Sequence, residues 1–257
     1  MSDLSIRALS KAFGGVRAVN EVSFEVKRGE FLAMIGPNGA GKSTCFNMIN
    51  GQLAPDSGSI WFEQKNLTGL APREIWRLGV GRTFQVASTF GSMTVGENVQ
   101  MALLSHANEI YRYWRPAAAM HRERALALLD QVGMREAADR PSRELAYGDV
   151  KRVELAIALA NDPRLLLMDE PTAGMAPRER NDLIALVKRL VVEQGISVLF
   201  TEHSMDVVFA FADRIIVLAR GRLIADGNAA EIRDHPQVRE VYFGTGKTFA
   251  RAAGAAS

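Results

Sequence analysis

The sequence of 257 residues is poor in cysteine and in long apolar runs. Its one cysteine, Cys45, cannot form a disulfide within the chain. This excludes a disulfide-stapled scaffold and favours a reducing compartment, with Cys45 packed as a small apolar residue. The sequence has no run of about 18 apolar residues, the length that a membrane-spanning helix needs. Residues 1–4 also lack the basic and apolar regions of a secretion signal, so we expect a chain that neither spans a membrane nor is secreted.

The sequence has no large excess of charge of one sign. It contains 31 Lys and Arg against 29 Asp and Glu, which gives a formal net charge of +2, and both signs are interspersed along the chain. A dedicated nucleic-acid binder usually concentrates its basic residues on one face, so we expect no nucleic-acid partner. The hydrophobic fraction of 47% and the charged fraction of 23% are those of a folded globular domain.

One nine-residue stretch fits the pattern G-x-x-x-x-G-K-[ST] at every constrained position. It consists of Gly36, Pro37, Asn38, Gly39, Ala40, Gly41, Lys42, Ser43 and Thr44. Glycines allow backbone N–H groups to curl around phosphate oxygens, the lysine can reach the β- and γ-phosphates, and the Ser43 hydroxyl can bind Mg²⁺. An apolar strand-like run, 31–35, precedes the stretch and a helix-like run, 44–49, follows it. The stretch therefore predicts a phosphate loop that binds a nucleoside triphosphate.

Three other strand ends are expected to meet this loop. A buried-strand pattern over 164–168 ends in Asp169 and Glu170, another over 196–200 is followed by His203, and a weaker one reaches Gln85. Asp169 and Ser43 are the expected Mg²⁺ ligands, and Gln85 can bridge that metal and an attacking water. Glu170 is expected to orient or deprotonate the water, and His203 to hydrogen-bond the γ-phosphate, although an isolated histidine at a strand end is more often structural.

The remaining patterns predict an α/β fold whose mostly parallel sheet carries the phosphate loop. Alternating segments at 4–9 and 22–26 predict N-terminal antiparallel strands, and 55–58 predicts a turn. The stretch 93–160 is rich in helix-forming residues, with one helix expected at 150–160, and the aromatic stretch 111–115 interrupts the helical pattern. A later helix is expected to start near Pro177 and to stop at Gly195. We expect a nucleotide-binding core at about 4–88 and 162–244, an inserted helical subdomain at about 89–161 and a loose tail at 245–257. Phe13, beside two glycines, can stack on a purine, but by composition alone a core position is favoured.

These motifs occur in the order and approximate spacing found in the ATP-binding subunits of ABC transporters, which the chain resembles from about Leu4 to Gly244. The resemblance rests on the phosphate loop, Gln85, the segment 145–149, the run 165–172 and His203. Within that family the chain is most similar to the ATPases of branched-chain amino acid importers. That closer resemblance rests on the segments 13–15, 81–85, 93–99, 174–175 and 241–244.

The resemblance implies roles that the patterns do not show. Phe13 becomes the expected adenine-stacking residue. Residues 145–149, here called the signature segment, correspond to the family signature, in which Tyr147 and Gly148 would cap the ATP of the opposite subunit in a head-to-tail dimer. The stretch from Gln85 to about Trp114 is where such subunits receive a coupling helix from their membrane partners.

Three positions depart from the family pattern. The signature usually has Ser where this chain has Ala146, so capping would rest on backbone N–H groups and the following helix N-terminus. Asp149 stands where Gln or Glu is common, and Ala176 replaces a polar residue that usually links the two active sites. We therefore expect a slower site and altered communication between sites, but not an inactive one.

The resemblance thus implies an Mg²⁺-dependent ATPase that powers import of a small solute, such as a branched-chain amino acid. Its expected partners are membrane permease subunits, a second ATP-binding subunit and, indirectly, a solute-binding protein, which would place it at the cytoplasmic face of the inner membrane as a peripheral subunit. The second ATPase is either another copy or a sister chain, with the mixed pair slightly favoured. The alternatives are the ATPase of an export or lipid-transport system and a soluble nucleotide switch.

Overall fold

The structure is a computed structural model that describes residues 2–83, 89–109 and 120–243. Ten strands lie within these ranges: β1 (Ser2–Phe13), β2 (Val16–Lys27), β3 (Phe31–Ile35), β4 (Ser57–Phe62), β5 (Lys65–Asn66), β6 (Val80–Thr83), β7 (Leu165–Asp169), β8 (Ser197–Thr201), β9 (Arg214–Ala219) and β10 (Arg222–Gly227). The α-helices in the same ranges are α1 (Lys42–Ile49), α2 (Pro72–Arg77), α3 (Val95–His106), α4 (Arg122–Gln131), α5 (Tyr147–Ala158), α6 (Pro177–Gln194), α7 (Met205–Phe211), α8 (Ala229–Asp234) and α9 (Pro236–Phe243).

A six-stranded sheet in the order β10-β9-β3-β8-β7-β6 forms the centre of the fold. Neighbours from β9 to β6 are parallel, and only the edge strand β10 runs antiparallel to β9. Every residue of β3, β7 and β8 is buried, as expected for parallel strands that are covered on both faces. Parallel strands bring their carboxyl ends to one edge, which places the ends of β3, β8 and β7 side by side.

A second, antiparallel sheet has the order β2-β1-β4-β5. The strands β1 and β2 form a hairpin in which Phe13 pairs with Val16 across the turn at Gly14 and Gly15. Their inward residues, together with those of β4, pack on one face of the central sheet and on α1, where Cys45 is fully buried. Burial raises the pKa of the Cys45 thiol to about 12, which fits a structural rather than a reactive cysteine.

The other face of the central sheet packs against α6, α7 and the helices of the segment 95–158. Buried side chains from α3, α4 and α5 form one continuous cluster with those of α6 and with Phe31, Ala33 and Ile35 of β3. Within the described part of 89–161, the only β-pairing is an isolated bridge between Thr94 and Pro141. In the described ranges no helix is both long and apolar enough to cross a bilayer.

The sequence expectations for the fold are largely confirmed, with corrections at element boundaries. The helix after the phosphate loop begins at Lys42 rather than Thr44, and α5 begins at Tyr147 rather than Val150. Ser57, expected in a turn, already belongs to β4 because it pairs with Ser10 of β1. The end of the expected strand toward Gln85, the aromatic stretch 111–115 and the tail 245–257 lie outside the described residues.

Candidate nucleotide site

The phosphate loop leaves β3 and enters α1 through glycines whose positions exclude a side chain. Gly41 has φ +102°, and a Cβ there would lie 2.4 Å from the carbonyl oxygen of Ala18 on β2. Gly36 is packed equally tightly, since its Cβ would lie 2.3 Å from the carbonyl oxygen of Leu218 on β9. Because both approaches are to backbone atoms, neither position admits a larger residue without a shift of the chain. The motif glycines are thus required by this packing as well as by any ligand.

Residues of the β9–β10 turn and of α9 contact the backbone of the phosphate loop and its neighbours. The N–H of Gly221, in the β9–β10 turn, donates to the carbonyl of Ala40 at 3.0 Å, while its carbonyl accepts from Asn20 N–H at 2.8 Å. The hydroxyl of Tyr242 on α9 is buried and faces the Gly36 backbone; its burial raises the pKa of this group. The loop is therefore held at both ends by residues far along the sequence.

Lys42 points back into the loop that carries it. Its side chain is buried, and Nζ donates to the carbonyl oxygens of Gly36 at 2.7 Å and Pro37 at 3.2 Å. Burial lowers the pKa of the Lys42 ammonium, and the nearby carboxylates of Glu170 and Asp169 oppose this shift. Among the described residues, this buried cation donates hydrogen bonds to neutral carbonyls of its own loop alone, so it is suited to receive an anionic phosphate group.

Asp169 and Glu170 are set by the register between β7 and β8. Asp169 pairs with Thr201 across the two strands, and the Thr201 hydroxyl donates to Asp169 Oδ1 at 2.7 Å. The same hydroxyl oxygen accepts the Glu170 N–H at 2.9 Å. Glu170 has φ +49°, a left-handed conformation that is strained for a residue with a side chain. Thr201, fully buried and missed in the sequence analysis, therefore fixes both acidic residues.

The structure joins Glu170 directly to His203. His203 Nε2 lies 2.7 Å from Glu170 Oε1, with the histidine side chain half exposed and the glutamate mostly buried. The sequence predicts a hydrogen bond from His203 to the γ-phosphate but not its pairing with Glu170. A carboxylate held by an imidazole at the mouth of a phosphate loop can accept a proton from a bound water.

Arg82 is a further residue of the site that the sequence analysis did not assign. It lies on β6, where Nη1 donates to Gln52 at 2.9 Å, and Nη2 lies 3.9 Å from Asp169 Oδ2. Burial lowers the pKa of the Arg82 guanidinium, while Asp169 opposes the shift. Arg82 lies three residues before Gln85, but the sequence does not show that it approaches Asp169. That approach depends on the pairing of β6 with β7. Gln85 itself lies outside the described residues, so its expected role stays a prediction.

An open cavity of about 300 Å³ lies at the phosphate loop. It is lined by Phe13, Ala18, Asn38, Gly39, Ala40, Gly41, Lys42, Ser43, Thr44, Glu170 and His203. Phe13 is 50% exposed at the tip of the β1–β2 hairpin, so the core position favoured by composition alone is wrong. The half-exposed ring instead lines the same cavity as the loop.

The donor set near the loop fits Mg²⁺ bound together with a nucleotide. The exposed Ser43 lines the cavity, and Asp169 adds a carboxylate whose Oδ2 is only distantly approached by Arg82. Among the described residues there is no group of three or more His, Cys, Asp or Glu that could enclose a metal by itself. Mg²⁺ commonly takes one or two protein oxygens plus phosphate oxygens and water, so a hydroxyl and one carboxylate are a suitable set.

The signature segment lies elsewhere on the molecule. Tyr147 and Gly148 start α5 and are absent from the described residues that line the cavity. Tyr147 is 46% exposed, and the N-cap Ala146 makes no side-chain hydrogen bond to the helix. One chain thus brings together the phosphate loop, Phe13, Glu170 and His203, but not the two signature residues.

Comparison with known proteins places the chain in a family. The family model described as ABC transporter matches residues 19–173. The chain belongs to the ABC transporter family. A second model, described as branched-chain amino acid ATP-binding cassette transporter, matches residues 222–248 of this ABC protein.

Individual relatives agree with this assignment over almost the full length. The high-affinity branched-chain amino acid transport ATP-binding protein BraF of Pseudomonas aeruginosa is 38% identical over 248 residues, covering 94% of this chain and 97% of BraF. The ADP conformation of an ATP-binding cassette of an ABC transporter superposes with a TM-score of 0.86 and 35% identity, covering 95% and 99% of the two chains. A dimeric bacterial ABC transporter cassette gives a TM-score of 0.75 at 28% identity, with 88% and 98% covered. The P-loop α/β fold and the ATPase class expected from the sequence are confirmed.

Proposed function

We propose that this ABC ATPase hydrolyses Mg²⁺-ATP to power import of branched-chain or related amino acids through separate membrane permease subunits. The observation that carries the chemistry is the hydrogen-bonded pair of Glu170 and His203 in the cavity of the phosphate loop. The solute class is supported by the similarity to BraF and by the match of 222–248 to the branched-chain model. That similarity also favours import over the export alternative.

The described residues supply the parts that phosphoryl transfer to water requires. Loop N–H groups and Lys42 bind the phosphates, and the ring of Phe13 stacks on the base. Ser43 and Asp169 would hold Mg²⁺, which would neutralise charge on the phosphate oxygens. Glu170 accepts the proton of the attacking water, and His203 holds its carboxylate in place and contacts the γ-phosphate. Positioning and charge neutralisation account for most of the rate in such reactions.

We further propose that the working unit contains two ATP-binding chains and binds the membrane through its permease. The exposed start of α5 suits a role toward ATP on a second chain, and the dimeric cassette among the similar structures supports this arrangement. An apolar groove of about 380 Å³ between the core and the helical segment is lined by Ile75, Trp76, Val80, Ala102 and Ile157 among others. We propose that a helix of the permease binds in this groove and that the subunit is peripheral, at the cytoplasmic face of the membrane. A separate solute-binding protein completes the proposed importer.

Deletion and complementation in the native cell test this function. We expect deletion to abolish high-affinity uptake of labelled leucine, isoleucine and valine, and the wild-type chain to restore it. Glu170→Gln should not restore uptake, because loss of a general base lowers turnover by about 10²–10⁴-fold. The tagged Glu170→Gln chain should still purify from membranes with the same polytopic proteins as wild type. Unchanged uptake of all three amino acids would refute the solute class, and recovery without membrane proteins would refute the transport role.

A further inference from the structure

Glu202 is a buried carboxylate that joins two loops of the site. It directly precedes His203 and is only 4% exposed. Its Oε1 accepts the N–H of Thr172 at 3.0 Å and the Thr172 hydroxyl at 2.5 Å. Its Oε2 accepts the N–H of His203 at 3.1 Å and, more weakly, that of Ser204 at 3.5 Å. One carboxylate therefore binds the loop after β7 and the loop after β8.

These hydrogen bonds satisfy the Glu202 carboxylate in place of a positively charged side chain. No Lys, Arg or His within the described ranges forms an ion pair with Glu202. A buried carboxylate is costly unless donors satisfy it, and here the donors come from Thr172, His203 and Ser204. Neither Glu202 nor Thr172 lines the nucleotide cavity as described. Their contribution to the site must therefore pass through other residues.

These contacts and the pair of Glu170 and His203 form a closed chain of hydrogen bonds between the loop after β7 and the loop after β8. Thr172 lies two residues after Glu170, and Glu202 lies one residue before His203. This chain of hydrogen bonds is completed where His203 Nε2 meets Glu170 Oε1 at 2.7 Å. Because Glu202 fixes the backbone on both sides of this contact, it determines whether the imidazole and the carboxylate remain within hydrogen-bond distance.

We propose that Glu202, with Thr172 as its partner, is a positioning residue for ATP hydrolysis that acts by holding His203 against Glu170. This rests on the proposed ATPase function. Glu202→Gln keeps the side-chain shape, but the amide NH₂ cannot accept hydrogen bonds from one of the two loops. We expect kcat of the purified chain, with its co-purifying partners, to fall by about 10- to 100-fold. The Kd for ATP, titrated separately, should change by less than about threefold, because the phosphate loop is untouched.

Glu30 provides the matched control. It is also a buried carboxylate, but it lies just before β3, at the opposite edge of the sheet, where it accepts from Lys27 N–H and from Arg214. Glu30→Gln should lower Tm as much as Glu202→Gln or more, yet leave kcat unchanged. Thr172→Ser should retain near-normal kcat, whereas Thr172→Val, which lacks the hydroxyl, should lower it. If Glu202→Gln fails to fold, the comparison of Thr172→Ser with Thr172→Val still tests the proposal.

A double-mutant cycle with His203→Ala decides between positioning and general damage. If Glu202 acts through His203, adding Glu202→Gln to His203→Ala produces no further fall in kcat. Full additivity of the two losses, or unchanged kcat in both Glu202→Gln and Thr172→Val, would overturn the proposal. A wild-type chain that hydrolyses no ATP would instead refute the proposed function itself, so the two failures are distinguishable.

Discussion

The phosphate loop and the signature segment differ in how many of their contacts are supplied within one chain. The loop is enclosed by backbone from β2, β9 and the β9–β10 turn, and its lysine is already bound to loop carbonyls. The signature segment begins a helix without a side-chain cap and exposes nearly half of Tyr147. The first region holds a cation suited to receive phosphate, whereas the second starts a helix whose N-cap residue offers no side-chain acceptor. The difference supports the proposal that the signature segment acts on a ligand held by a second chain.

A pair of glycine substitutions gives the largest expected effect and tests this contrast. Gly41→Ala forces a Cβ toward the carbonyl oxygen of Ala18 at positive φ, so we expect the free energy of unfolding to fall by about 2–4 kcal/mol. At Gly148 the added Cβ meets only the Glu179 carboxylate at 3.5 Å, an ordinary contact. Gly148→Ala should change that free energy by less than about 1 kcal/mol. Urea denaturation without nucleotide measures both.

The same two variants should differ in function. Gly41→Ala should lose ATP binding. Gly148→Ala should bind ATP normally as a single chain and lose turnover, because it alters the helix start that is proposed to meet the phosphate held by the second chain. Equal destabilisation by the two substitutions would mean that the signature segment is as firmly built into one chain as the loop, and the contrast would be wrong.

Phe13→Ala is expected to have an intermediate effect and tests the base-binding end of the cavity. Loss of stacking should weaken ATP binding by about 1–2 kcal/mol, or 5- to 30-fold. Binding of inorganic tripolyphosphate, which has no base, should be unchanged. Val16→Ala, at an exposed residue of the same hairpin, is the control and should leave both affinities unaltered. Equal losses for ATP and tripolyphosphate would show that Phe13 supports the loop rather than the base.

Ala146→Ser has the smallest expected effect and would make the signature segment more like the loop. A serine at this N-cap can accept a hydrogen bond from the first turn of α5, which should raise the free energy of unfolding by about 0.5–1 kcal/mol. The added hydroxyl should also raise ATP turnover, by a factor of about five at most. Ala146→Val, which adds bulk without an acceptor, should give neither gain. A fall in turnover for the serine variant would show that the alanine is required here.

Residues whose roles depend on local chain geometry were predictable from the sequence. The phosphate loop, the buried strands β3, β7 and β8, and the stop of α6 at Gly195 follow from short patterns, and the structure confirms them. The start of α5 was placed too late because Gly148 and Asp149 have low helix propensity, although both lie in its first turn. The short helices α2, α7, α8 and α9 were missed because they are too few turns long to show a clear period.

Residues whose roles depend on pairing between distant strands were not predictable. Thr201 follows an apolar run, and this local pattern does not indicate a functional role. The register between β7 and β8 brings its hydroxyl to Asp169 and Glu170. Phe13 was misjudged from residue statistics because its exposure is decided by the turn at Gly14 and Gly15. Glu202 gives no local signal, since Thr172 lies 30 residues away in the chain.

The support of the phosphate loop by Leu218 and Gly221 also bears on biosynthesis. Residues 36–44 are translated early, but the carbonyl beside Gly36 and the N–H bound to Ala40 belong to residues made near the end of the described chain. A ribosome-bound chain that ends before β9 contains the whole phosphate-loop motif but lacks Leu218 and Gly221, whose backbone atoms contact the loop. We therefore expect the growing chain to retain nucleotide only after β9 and the β9–β10 turn have been added.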